Sequence, residues 1–277
     1  MEPGVLFGLA AAASFGSGDF TGGFASRRVA GLTVVAVAQG VGLLLLLGIV
    51  AVARPPMPEP GSLMLAGLAG AFGGIGLLAL YRGLAMGSMG IVTGLSGVGS
   101  VALPLLVGWA IGRSAVGPLQ WIGVLVAMAA IGAASGATRM GIRPQAVLHG
   151  LAAALFFGLW FVLLDLAAGE ERTWILVASR GSATVLMGAL ALGRHQYAGV
   201  GAAWPLMLLA GSLDVAGNAA FVESRATIPV GVAAALSGLY PVVTMLLARS
   251  VLREALPPLG VVAVLLAVAG VVLISLG

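Results

Sequence analysis

Residues 90–106 read GIVTGLSGVGSVALPLL, and residues 231–247 read GVAAALSGLYPVVTMLL. At a shift of 141 (231 − 90), Gly90 falls on Gly231, Leu95-Ser96-Gly97 on Leu236-Ser237-Gly238, and Leu105-Leu106 on Leu246-Leu247. The register runs backwards from there: Gly70, Gly76, Ala79 and Ala85 fall on Gly211, Gly217, Ala220 and Ala226. At a shift of 142 (150 − 8), Gly8 to Ala12 match Gly150 to Ala154, and Phe15-Gly16 matches Phe157-Gly158. The chain thus reads as one unit written twice with a one-residue slip, its halves spanning 1–138 and 144–277.

Composition says what the unit is. Of 277 residues, 60% are hydrophobic and 8% charged, and the mean hydropathy is +1.15. Soluble domains carry roughly 45–50% apolar and about 25% charged residues, so most of this exterior must face lipid. A hydrocarbon core of about 30 Å takes roughly 20 helical residues to cross. Charges, prolines and short turns divide the chain into helices near 3–24, 31–53, 61–85, 91–111, 117–136, 145–166, 173–193, 202–224, 229–249 and 256–276. Arg27-Arg28, Arg54-Pro55-Pro56, Arg113, Arg139 to Pro144 and Glu170-Glu171-Arg172 mark boundaries, and Gly87-Ser88-Met89-Gly90 reads as a short turn. The runs exceed the 9–11 residues of a barrel strand and lack its alternation. The 44 glycines serve close helix packing, which in lipid depends on small residues.

Each half holds five spans, and an odd number points the halves in opposite directions. The expected fold is an all-α membrane protein of about ten transmembrane helices in two inverted five-helix repeats, the plan of many secondary transporters, whose substrate sits between the halves. No cysteine is present, and all 13 basic residues are arginines spread along the chain, singly except for Arg27-Arg28, so the pI of 10.6 does not point to nucleic acid. The N-terminal segment has no positive leader region and is read as a retained helix. No metal and no cofactor is expected. The partners are the bilayer and a small-molecule substrate, and a monomer is compatible with the pattern.

Three stretches resemble the EamA type of the drug/metabolite transporter superfamily: Phe15 to Phe20 continuing to Ser26-Arg27-Arg28, Ala79 to Ala85, and Leu236 to Thr244 leading to Leu252-Arg253-Glu254. The likeness covers the whole chain. It departs at the usual Gly-Glu-Arg-like turn, where this chain has Gly112-Arg113-Ser114 and Arg253-Glu254. The resemblance implies a proton- or gradient-driven exporter of amino acids or related metabolites, its cavity lined by helices 1, 3, 4, 6, 8 and 9, in a bacterial inner membrane. Similarity to aromatic-amino-acid exporters makes those the leading substrates.

Charges inside a bilayer cost about 2.5–3.5 kcal/mol each on insertion scales and suggest function or pairing. Three stand out: Asp19, Arg180 and Asp214, with Asn218 one turn after Asp214 on the same face. Asp214 with Asn218 would bind an ammonium or take part in proton coupling. Against this stands a purely structural hydrogen-bonded pair. Arg180 could receive a substrate carboxylate, but a structural ion pair with Asp19 or a helix end is the preferred reading; Gln39 holds its matching place. Ser237, Tyr240 and Thr244 form one stripe, and Thr93, Ser96 and Ser100 another. Phe156, Phe157, Trp160 and Phe161 crowd the sixth helix, and Tyr81 could face the same cavity, with Trp160 and Tyr240 favoured over lipid contact. Trp109, Trp121, Trp174 and Trp204 suit the interfacial belt. Pro104 and Pro241 should kink their helices.

The polar residues are mostly not duplicated: Asp214 corresponds to Gly73, Asn218 to Leu77, Tyr240 to Gly99 and Asp19 to Phe161. That pattern fits a scaffold that diverged around an asymmetric ligand, or one half keeping structural pairs. An enzyme is disfavoured, since His149 and His195 sit at membrane edges and no His-Glu-x-x-His or Gly-x-Ser-x-Gly occurs. A channel or structural protein is the other rival; within transport, export of drugs or organic cations is the alternative. Loops after odd-numbered helices hold seven arginines (Arg27, Arg28, Arg139, Arg143, Arg194, Arg249, Arg253) against four elsewhere (Arg54, Arg113, Arg172, Arg225). The positive-inside rule then favours external termini. The resemblance implies cytoplasmic ones, and these are the expectation.

Overall fold

A computed structural model describes residues 2–112, 115–167 and 172–277. The helices are α1 (Pro3–Ala25), α2 (Gly31–Ala53), α3 (Pro60–Ala85), α4 (Met89–Ala110), α5 (Pro118–Ala137), α6 (Pro144–Ala167), α7 (Arg172–Gly193), α8 (Val200–Thr227), α9 (Val230–Ser237), α10 (Tyr240–Leu252) and α11 (Pro258–Leu276). The expected bounds agree with these to within a few residues. Four helices begin on proline (α1, α3, α5, α6) and α11 does too, because proline's fixed φ and missing N–H suit the first turn. The predicted boundary residues Arg113, Glu170 and Glu171 lie outside the described residues.

Among the described residues, nine helical spans are long and apolar enough to cross a membrane, counting α9 and α10 as one. The tenth, α1, matches them in length at 23 residues, but its Ser17-Gly18-Asp19 stretch makes it less apolar. The burial pattern is that of a lipid-facing bundle. Large apolar side chains point outward, with Leu44 70%, Met64 76%, Val52 88% and Val185 70% exposed. The interior is lined by small residues such as Ala11, Ala69, Ala130, Ala153 and Ala210, all fully buried. A soluble protein would aggregate with such a surface; in a bilayer the small residues let backbones approach.

The halves interleave rather than stand apart. Helix α1 lies along α8 as α6 lies along α3, and α3 meets α7 as α8 meets α2. Exchanging the halves therefore maps the packing onto itself. The pairs α2 with α7 and α5 with α11 are their own counterparts, and so flank the pseudo-two-fold axis. Atomic detail follows the same operation. A Cβ on Gly70 would collide with the Ser179 carbonyl, and one on Gly211 with the Ala38 carbonyl. Gly76 is covered by the Phe157 ring, and Gly217 by the Phe15 ring. These are the 141 and 142 shifts again (211 − 70, 179 − 38, 217 − 76; 157 − 15), so the slip lies between the first helix of each repeat and the rest.

One expectation is corrected. The ninth span is broken, not kinked, into α9 and α10. Pro241 has no N–H to give Ser237, and the chain crosses the gap on tighter i→i−3 bonds, from Leu239 N to Leu236 O (3.2 Å) and from Val242 N to Leu239 O (3.0 Å). Helix α4, by contrast, continues through Pro104.

Candidate functional site

The polar groups of the interior gather where the halves meet. Arg180 projects from α7 towards α2 and α8. Its Nη2 donates to Asp214 Oδ2 in an ion pair, and its Nη1 donates to Gln39 Oε1 at 3.1 Å. The room for it comes from Gly42, where a Cβ would stand 2.7 Å from Nη1. The partner of Arg180 is thus Asp214, not Asp19. Asn218 does not meet the Asp214 carboxylate either: its Nδ2 donates to the Asp214 backbone carbonyl at 2.7 Å, anchoring the α8 turn.

Asp214 sits near the middle of α8, and 39% of its side chain is exposed, against 12% for Arg180. An ionised carboxylate facing hydrocarbon at that depth would cost several kcal/mol. The contact with Arg180 offsets part of that cost by pairing the charge. Asp19, on α1, joins neither of the ion pairs among the described residues. It lies within electrostatic range of Asp214, Tyr81 and Tyr240. Asp214 is paired with Arg180, and Asp19 stands near it outside that pair.

Aromatic rings border this cluster. Tyr81 is buried, its ring laid on Gly22 one turn from Asp19. Trp160 covers Gly73 of α3, and its Nε1 donates to Ser179 Oγ at 2.9 Å. The related place in the other half, Gly18, is covered by the α8 backbone and Leu213 next to Asp214. Trp160 beside Gly73 in one seam thus corresponds to Gly18 beside Asp214 in the other. Phe157 packs on Gly76 as part of the helix contact, while Phe161 is 42% exposed and lies on the lipid face.

The two polar stripes meet at Tyr240, where α10 touches α4. Tyr240 O–H donates to the Thr93 carbonyl (3.2 Å) and lies 3.3 Å from Ser96 Oγ. Ser96 Oγ itself donates to Thr93 O, Ser100 Oγ to Ser96 O, and Ser237 Oγ to Ala233 O. These hydroxyls are occupied by their own helices. Thr244 Oγ1 ties α10 to α1 through the Gly16 carbonyl at 3.0 Å.

Three participants carry no site signal of their own in the sequence: Gln39, Ser179 and Glu254. Gln39 has an indirect one, since it is the repeat mate of Arg180 (180 − 39 = 141). Ser179 has only its place beside Arg180. Glu254 closes one end of the seam: it accepts from Met89 N at 2.7 Å and pairs with Arg27 at 3.4 Å. It thereby joins the α10–α11 loop to the start of α4 and the end of α1. Burial raises its carboxyl above the ordinary 4.5, and the Met89 N–H and Arg27 oppose the shift. Among the described residues no cluster of His, Cys, Asp or Glu could hold a metal ion.

The EamA-like transporter family model matches residues 2–135 and again 144–276. The chain belongs to that family. This EamA-like protein is therefore a multi-pass membrane protein of a family of small-molecule transporters, within the drug/metabolite transporter superfamily. Among solved structures, a crystal structure described only as that of a protein superposes on it with a TM-score of 0.63 and 16% identity, over 99% of this chain and 97% of the other. That likeness shows the shared fold alone. No curated protein matches the chain.

Proposed function

We propose that this EamA-like protein exports amino acids, aromatic or otherwise hydrophobic, by alternating access of the two inverted repeats around the Arg180–Asp214 pair. The observation that supports this is the pair itself. A zwitterion offers a carboxylate to Arg180 and an ammonium to Asp214, so each partner exchanges one charge-assisted bond for another. Trp160 and Tyr81 supply flat apolar surface for a side chain. Asp19 leaves the cluster one positive charge short, which a coupled proton can provide. The functional unit is one chain, in a bacterial inner membrane with cytoplasmic termini.

Asp19, outside both ion pairs, also favours a second reading, export of organic cations. The two separate on Arg180: an amino-acid exporter needs the guanidinium, while a cation exporter needs only the carboxylates. With Arg180→Ala reconstituted in proteoliposomes, loss of amino-acid transport with cation transport retained would leave both activities with this protein. Unchanged amino-acid transport would remove the proposal.

A further inference from the structure

Arg82, in the last turn of α3, is half-buried and takes part in neither ion pair among the described residues. It borders two depressions. One is a basic dish of about 830 Å³ at the membrane edge, with Arg27, Arg143 and Glu254 on its walls. Since Glu254 neutralises Arg27, Arg82 and Arg143 remain, among the described residues of the dish, as uncompensated cations. The other is an apolar groove of about 350 Å³ running down between α3 and α6, floored by Leu78, Ala79, Ala152 and Phe156, with His149 beside Arg82 at its head. His149 Nδ1 donates to the Gln145 carbonyl at 2.8 Å.

The groove fits within the depth of one lipid leaflet. From Arg82 to Ile75 the groove descends seven residues, about 10 Å at 1.5 Å each, within the roughly 15 Å of half a hydrocarbon core. We propose that an anionic phospholipid occupies it, its phosphate between Arg82 and Arg143 and an acyl chain along the α3–α6 groove. Charge complementarity selects this occupant: a zwitterionic headgroup brings its own cation to the two arginines at the water–lipid boundary, whereas a headgroup of net negative charge lowers their excess charge and its phosphate oxygens can accept from both. The repeat supplies an internal comparison. The corresponding positions on the opposite face, on α8 and α1, have Glu223 where Arg82 stands (223 − 82 = 141) and Phe7 where His149 stands (149 − 7 = 142). The position there carries the opposite charge, and Ala219 and Ser14 stand where Leu78 and Phe156 floor the groove (219 − 78 = 141, 156 − 14 = 142), so the site belongs to one face only.

The test is native mass spectrometry of the full chain released from mixed micelles containing phosphatidylglycerol and phosphatidylcholine with the same acyl chains. Wild type should retain phosphatidylglycerol over phosphatidylcholine by about tenfold, the scale of one to two arginines near a bilayer surface. Arg82→Gln should bring the ratio close to one, and Arg225→Gln, on the other face, should leave it unchanged. Ala152→Phe, which fills the groove and keeps every charge, should also abolish retention, so the site can be tested even where the arginine variant folds poorly. Equal retention of both lipids by wild type, a preference that survives both Arg82→Gln and Ala152→Phe, or displacement of the lipid by free glycerol phosphate would each overturn the assignment.

Discussion

Arg180 and Gln39 occupy equivalent positions in the two repeats and hydrogen-bond to each other, Nη1 to Oε1 at 3.1 Å. The pseudo-two-fold axis therefore passes between them, and the ion pair with Asp214 breaks that symmetry on one side. Where the related residue is Gly73, no second carboxylate balances it. The seam between the repeats is symmetric in its packing and asymmetric in its charge.

Removing one partner of this pair should cost more than removing both. Stranding a buried charge costs roughly 3–5 kcal/mol, and the exposure of Asp214 lowers the expectation to about 1–2 kcal/mol through screening. Thermal unfolding in neutral detergent should show Arg180→Ala melting several degrees below wild type, with Arg180→Ala/Asp214→Ala recovering part of the loss. Additive losses would mean that the two side chains do not interact.

The close helix crossings make a second prediction. Gly99 lies against the Ala154 backbone and Gly70 against the Ser179 carbonyl, whereas at Gly67 and Gly188 an added methyl would have nothing within 4 Å. Gly99→Ala and Gly70→Ala should each destabilise by about 1–3 kcal/mol or more, since backbone cannot yield as a side chain does. Gly67→Ala and Gly188→Ala should be neutral or slightly stabilising. Size-exclusion profiles and melting temperatures of the four variants check this.

Tyr240→Phe removes the hydroxyl that reaches Thr93 O and Ser96 Oγ. Hydrogen bonds between membrane helices average about 0.6 kcal/mol, so the melting temperature should barely change. A rise in KM without loss of folded protein would place Tyr240 at the substrate; an unchanged KM would leave it as a strut between α4 and α10.

Glu254 predicts a pH dependence. Its carboxyl is raised above 4.5 by burial, so the folded state holds the proton more tightly than the unfolded chain does. The folded state then binds more protons just above pH 4.5, and stability falls as pH rises through that window. Glu254→Gln should flatten this slope. A melting temperature that rises with pH over the same window in wild type relative to Glu254→Gln would contradict the assignment.

Much of the fold was legible because hydropathy and proline placement carry the span boundaries, and the recurrence of Leu-Ser-Gly at residues 95 and 236 carries the duplication. The break at Gly238-Leu239 was less so: Pro241 signals a lost hydrogen bond, but whether the helix bends or parts depends on how α10 is held by Gly16 and Ser96, which are distant in sequence. Pairing in the site was hidden for the same reason. Sequence shows three intramembrane charges; only the packing of α2 against both α7 and α8 decides that Arg180 reaches Asp214 and leaves Asp19 aside. The part played by Glu254 needed three separate segments to be brought to one end of the seam.

Counterflow of labelled aromatic amino acids into proteoliposomes loaded with the unlabelled compound tests the central claim most directly. Wild type should accumulate label transiently above equilibrium and saturably, and Asp214→Asn should not. Absence of accumulation for every amino acid, or accumulation by Asp214→Asn equal to that of wild type, would contradict a zwitterion held between Arg180 and Asp214.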